Sequence, residues 1–269
     1  MYILLACDSI RPQNGIDRGV EKLRYVEYGK ENDEVIVFLH GGGLSWWHYR
    51  EAAERLSDEY HVILPILDGH AGADRDFTTI EDNAAEIIEW VDRSLGGRVR
   101  LMGGCSLGGQ ILLEILSQRG DICRYALIES ALTRPSRLLA ALIAPTVGCS
   151  YGLIRRRWFA ALQFRSLRIK TELYEDYYRD SCAITKANMI AFMQANARYE
   201  GKESLQGCTA EAHIFVGEKE SAAVHKSAEV IREKLRASVL HILPQMAHGE
   251  FSINRAGDYA KTIAALCEE

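Results

Sequence analysis

The sequence has no apolar run approaching ~20 residues, so no membrane-spanning helix is expected and stable insertion into a bilayer is not. It has no C-x-x-C pair, and its seven cysteines are odd in number. Both facts argue against a disulfide framework or a thiolate zinc site, and a reduced, cytoplasmic compartment is expected. The short apolar run at residues 2–7 has no basic residue before it and no cleavage pattern after it, so it does not read as a secretory signal. Positive charge is not in excess. The net charge is −5, which excludes a globally basic nucleic-acid surface. No internal repeat, low-complexity tract or signature of an oligomeric state is evident.

What is present suits a globular chain. Of 269 residues, 48% are apolar, enough to bury a large core. Short apolar runs recur: Val35-Ile36-Val37-Phe38-Leu39, Val62-Ile63-Leu64-Pro65-Ile66-Leu67 and Val99-Arg100-Leu101-Met102, each leading into a glycine turn, and Tyr125-Ala126-Leu127-Ile128. Such runs read as buried parallel strands. Pro65 lacks a ladder donor, so its strand is expected to be short or bulged.

Helical periodicity lies between the runs. Ala84, Ile87, Ile88, Val91 and Leu95 mark one helix, with Thr78 and Glu81 as its expected capping box. Residues 107–116 are apolar nearly all round and read as a buried helix. The alternation resumes with strands at 213–216 and 239–243, each followed by a helix. Residues 131–210 break it. They contain helical stretches such as 158–169 and 174–199 and no convincing strand. The expected architecture is α/β: a mostly parallel sheet with helices on both faces, formed by residues 1–130 and 211–269, with a helical insertion at 131–210. The turn signal at residues 12–15 fits none of these elements.

Gly104-Cys105-Ser106-Leu107-Gly108 matches G-x-S-x-G. The pattern alone is weak, but here it ends an apolar strand and opens an apolar helix, the setting that exposes a nucleophilic serine. A bare glycine-rich turn is the bland alternative. His40-Gly41-Gly42-Gly43 also follows a strand, and its small residues let the backbone approach a substrate oxygen. The amides of Gly42 and Leu107 are candidate oxyanion donors, with Gly43 as an extra or substitute one. His40 reads as a loop-orienting residue.

A serine nucleophile needs a base. His248 lies just beyond the last strand and is the best candidate. His70, in a loop, is its chief competitor; His241 sits in a strand and His225 in a helix. The base needs a carboxylate to fix its tautomer. Glu220 and Glu218 follow the penultimate strand and Glu129 an earlier one, and all three qualify.

These signposts, in this order, resemble the α/β-hydrolase family over roughly residues 20–269, specifically its capped, lipase- and esterase-like members. The resemblance implies Ser106 as nucleophile, His248 as base, Glu220 as acid, and Gly42 with Leu107 as oxyanion hole. The family usually has Asp at the acid position, and Glu220 departs from that. The resemblance also makes residues 131–210 a helical cap, with Trp46, Trp47, Trp158 and Phe159 as candidate substrate-pocket residues. The cap carries Arg155, Arg156, Arg157, Arg165, Arg168 and Lys170, with no acid from 138 to 171. A solvated helix face is the simplest reading, and an anionic substrate or membrane surface the alternative. The implied activity is hydrolysis of a small-molecule carboxylic ester through an acyl-enzyme, with no metal or organic cofactor. Carbon–carbon cleavage, amide hydrolysis and acyl transfer are alternatives on the same site. A ligand sensor that retains the pocket is the alternative outside catalysis.

Overall fold

In a computed structural model of the chain, residues 23–268 are described. The apolar run at 2–7 and the turn signal at 12–15 lie outside them. The seven strands are β1 (Arg24–Tyr28), β2 (Val35–Leu39), β3 (His61–Ile66), β4 (Val99–Cys105), β5 (Cys123–Glu129), β6 (Glu211–Gly217) and β7 (Ser238–Leu243). They form one sheet in the order β1-β3-β2-β4-β5-β6-β7. Only β1 runs antiparallel, pairing with β3. β3 is six residues long. Its pairing with β2 ends at Ile63, two residues before Pro65, and Pro65 itself stands opposite Tyr25 in the antiparallel pair with β1.

The strands alternate their side chains between two cores, which is why the central ones read as continuous apolar runs. On β2, Val37 and Leu39 point into the core that α2 (Ile80–Ser94), α3 (Leu107–Gln118) and α8 (Ala222–Lys234) cover. Ile36 and Phe38 face α1 (Arg50–Leu56) and α10 (Ala256–Glu268) on the opposite side. Each fully buried Leu, Ile or Val contributes about 1.5–3 kcal/mol relative to exposure, so the two cores dominate the stability. α2 begins one residue later than its sequence signal suggests. Its N-cap is Thr79, whose Oγ1 accepts the Asp82 amide at 3.0 Å, rather than the expected Thr78.

Between β5 and β6 the chain is helical: α4 (Arg137–Ser150), α5 (Arg157–Ser166), α6 (Tyr174–Ala183) and α7 (Lys186–Arg198). The single helix expected at 174–199 is in fact two. The break falls at Ile184 and Thr185, where the Thr185 side chain accepts the Asn188 amide at 3.2 Å and starts α7. This helical group packs on the core through Trp47, which is buried with Phe164, Leu173 and Tyr177. The Trp47 indole N–H donates to Asp180 at 2.7 Å. A short helix, α9 (Glu250–Asn254), precedes α10. Among the described residues no helix is long and apolar enough to cross a membrane.

The Thr79 cap gives a stability prediction. Thr79→Ala should cost about 1 kcal/mol, and Thr78→Ala much less. Denaturant midpoints of the two variants check it.

Candidate active site

The loops that follow the parallel strands gather at one edge of the sheet, and the candidate residues collect there. Ser106 sits between β4 and α3 at φ 53°, ψ −113°, a conformation that non-glycine residues rarely adopt. Backbone approaches backbone closely around it. A Cβ on Gly104 would lie 2.4 Å from the Gly108 carbonyl oxygen, and one on Gly108 would lie 2.0 Å from that of Leu39. Both flanking positions of the motif therefore require glycine. The Ser106 amide donates to the Glu129 carbonyl at 2.8 Å, fixing the turn to the end of β5.

Buried neutral histidines hold the loop after β2. His40 Nε2 accepts the Leu67 amide at 3.1 Å, so its Nδ1–H donates to the Gly41 carbonyl at 2.9 Å. His48 Nδ1 accepts the Gly41 amide at 3.3 Å, leaving Nε2–H for Ser252 Oγ at 2.9 Å. His70 Nε2 accepts the Gly43 amide at 3.0 Å, and its Nδ1–H donates to the Asp68 carbonyl. Burial pushes His48 down to about 3 and His70 to about 4, and His40 well below its ordinary value. His70 is thus a loop support and not the competitor for base, because both its nitrogens are engaged. Gly43 is no extra oxyanion donor, because His70 takes its N–H. The Gly42 amide lies between these two committed ones and has no acceptor among the described residues. The Leu107 amide opens α3, where the first N–H groups lack intrahelical partners.

His248 follows β7, and its Nδ1 lies 2.7 Å from Glu220 Oε2. An ionised carboxylate only accepts, so Nδ1 carries the proton and Nε2 presents a lone pair. The Glu220 side chain is fully buried, whereas that of His248 is 49% exposed. Glu220 Oε1 accepts from Ser130 Oγ at 2.7 Å and from the Gly217 amide at 3.0 Å. Burial opposes ionisation of Glu220. The hydrogen bonds from His248, Ser130 and Gly217 prevail, and its pKa falls below the ordinary value.

The two rival glutamates are engaged elsewhere. Glu218 accepts the backbone and side-chain N–H groups of Gln245, at 2.8 and 3.2 Å. Glu129 accepts the amides of Phe251 at 3.0 Å and Ser252 at 3.3 Å. It is fully enclosed, and burial raises its pKa to about 7 despite those amides, with the nearby Glu220 adding to the rise. Of the other histidines, His241 stacks on Phe215 at 4.7 Å and meets His213, while His225 lies on α8.

Two cavities meet at Ser106 and Gly42. One, of about 230 Å³, is lined by Leu107, Leu139, Ile143, Phe192, Met193 and Ala197, with Asn196 as a polar member. The other, of about 260 Å³, holds His248 and is walled by Leu44, Leu167, Arg168, Ile169 and Ile253. The four aromatics expected in the pocket line neither. Trp47 is buried against Phe164, Leu173 and Tyr177, with its indole N–H satisfied by Asp180. Trp46 lies half-buried beneath the Arg50 guanidinium, 5.6 Å from its ring centre. Trp158 is exposed on the outside of α5 and packs edge-on against Phe159. Ser130, His48, Ser252 and the aliphatic lining of both cavities carried no recognisable sequence signal.

A model of the alpha/beta hydrolase family matches residues 36–262. The chain belongs to that family. Its fold superposes on a thermophilic esterase from Thermogutta terrifontis with a TM-score of 0.74 at 18% identity, covering 91% of this chain and 93% of that one. A bromoperoxidase from Bacillus anthracis gives 0.78 at 12% identity, covering 94% and 97%. An enol-lactonase from Burkholderia xenovorans gives 0.73 at 16% identity, covering 92% and 96%. This hydrolase-family chain thus shares one architecture with an esterase, a bromoperoxidase and an enol-lactonase, and the likeness extends to fold alone.

Glu129 gives a pH prediction. Its folded pKa of about 7 exceeds the ordinary carboxyl value of 4.5, so its contribution to stability is full below 4.5 and is lost as pH rises through 7. The melting temperature of the wild type, relative to Glu129→Gln, should fall from pH 4.5 to 7.5 and then level. A difference constant across that window would contradict it.

Proposed function

We propose that the protein is a serine hydrolase that cleaves carboxylic esters, with residues 131–210 as a cap over the site. The observation that carries this reading is the buried, ionised Glu220 holding His248 at 2.7 Å within the cavity that Ser106 also lines. His248 Nε2 takes the Ser106 proton as Oγ attacks the ester carbonyl. The negative charge that forms on the carbonyl oxygen is met by the amides of Gly42 and Leu107. The tetrahedral species collapses, the C–O bond to the alcohol breaks, and His248 returns the proton to the departing alkoxide. A water, activated in turn by His248, releases the acid and restores Ser106.

The two cavities then have distinct duties. The leaving alkoxide must lie within reach of His248, so the alcohol occupies the cavity that His248 lines. The acyl chain takes the apolar one beneath Leu139, Ile143 and Phe192. Burial of acyl methylenes there favours binding by about 0.8 kcal/mol each.

Three experiments test this. A fluorophosphonate should label Ser106 alone, and Ser106→Ala should fold and stay unlabelled. Peptide mapping that finds label on another serine refutes the assignment. Glu220→Gln should lower turnover by on the order of 10²–10⁴, while Glu218→Gln stays near normal. Met193→Trp should depress catalytic efficiency on long acyl chains and spare acetates, because Met193 lines only the acyl cavity. A matching loss on esters of long alcohols would reverse the assignment of the two cavities.

A further inference from the structure

The outer face of the helices between β5 and β6 is unlike the rest of the surface. Eight of the ten exposed large apolar side chains among the described residues fall between β5 and β6, three of them (Leu139, Leu167 and Met193) at the cavities and the rest away from them. Leu138, Leu139 and Leu142 form a ridge on α4, and Trp158 and Leu162 sit one turn apart on α5. Leu138 is 73% and Trp158 65% exposed. Monomeric proteins seldom leave so many large apolar groups together in water without a use for them.

Charge sets this face apart as well. Residues 130–171 contain eight basic and no acidic residues. Subtracting this +8 from the net −5 of the chain leaves −13 on the remainder, so this segment is opposite in charge to the rest of the sequence. Arg157 pairs with Glu175, and Lys170 with Glu51. Arg134, Arg137, Arg155, Arg156, Arg165 and Arg168 have no carboxylate partner among the described residues.

We propose that this face docks the protein reversibly on an anionic lipid bilayer. Interleaved arginines and exposed Leu and Trp are what such a surface binds: guanidinium groups at the phosphates, apolar tips at the acyl boundary. A second copy of the chain fits poorly, because a two-fold interface would set the same eight positive charges against each other. Leu139 lines the first cavity, and Leu167 and Arg168 the second. Docking therefore brings both cavity mouths to the membrane surface. The docking itself does not depend on the ester-cleavage reading.

The test is co-sedimentation of the full chain with vesicles of phosphatidylcholine alone or mixed with phosphatidylglycerol, at low and high salt. Binding is expected only to the mixed vesicles, with release by salt. The Arg155→Ala/Arg156→Ala double variant should bind tenfold or more weakly, since each basic residue near the surface contributes about 1 kcal/mol. Tryptophan emission should shift to the blue on binding, and Trp158→Phe should lose that shift. Circular dichroism checks that these surface variants fold. Absence of binding to mixed vesicles, or binding indifferent to the arginines, overturns the proposal. A concentration-dependent dimer in sedimentation velocity that Leu142→Ser disperses would overturn it in favour of a second copy. Vesicle binding and fluorophosphonate labelling of Ser106 are read independently, so failure of one leaves the other standing.

Discussion

The close approach of the turn after β4 to the end of β2 is the constraint on which the candidate site depends. With only hydrogen at Gly104 and Gly108, two backbone segments sit where a single methyl group would collide with a carbonyl. That approach holds Ser106 in its left-handed conformation and sets the Gly42 amide near the start of α3. The strain, typically about 1–3 kcal/mol for such a residue, is offset by the two cores that clamp the sheet from either face. Three neutral histidines then tie the glycine loop to its neighbours, and a buried polar network of this kind is rigid only when each member is satisfied.

Much of this was legible in the sequence, and the reasons are physical. A parallel strand buried on both sides must be apolar throughout and must end in a turn, so β2, β4 and β6 were visible as runs before glycines and β5 as a bare apolar run. The edge strand β1 was not, because only Val26 of its five residues is fully buried and no continuous run survives. The break between α6 and α7 was hidden because Ile184 and Thr185 interrupt a stretch whose helical pattern continues on both sides. The candidate nucleophile and base could be named because strand-end loops converge in any sheet of this kind. The acid could be narrowed only to three glutamates, since reach depends on loop path and not on spacing.

The pocket was the least legible part. Aromatic content says that apolar surface exists but not which way it faces. Trp47 carries a donor that must be satisfied once buried, and Asp180 satisfies it away from the cavities. The walls are instead aliphatic residues on α4 and α7 and the segment 166–169, joined by Phe192 of α7, and their inward direction follows from how the helices pack. A glutamate where the family usually has an aspartate is accommodated by a similar local adjustment. The longer side chain folds back so that one oxygen meets the Gly217 amide, three residues away, while the other reaches His248.

Ser130 contributes one further property. Its hydroxyl donates to Glu220 and accepts the Gly249 amide at 3.1 Å, so a single oxygen joins the Glu220 loop to the His248 loop. Loops of this kind fluctuate on nanosecond to microsecond timescales. Joined through one atom near the end of a buried strand, the two are constrained to move as a unit. Excursions of the 244–249 segment then carry both partners together, and the spacing between imidazole and carboxylate is insulated from the motion around it.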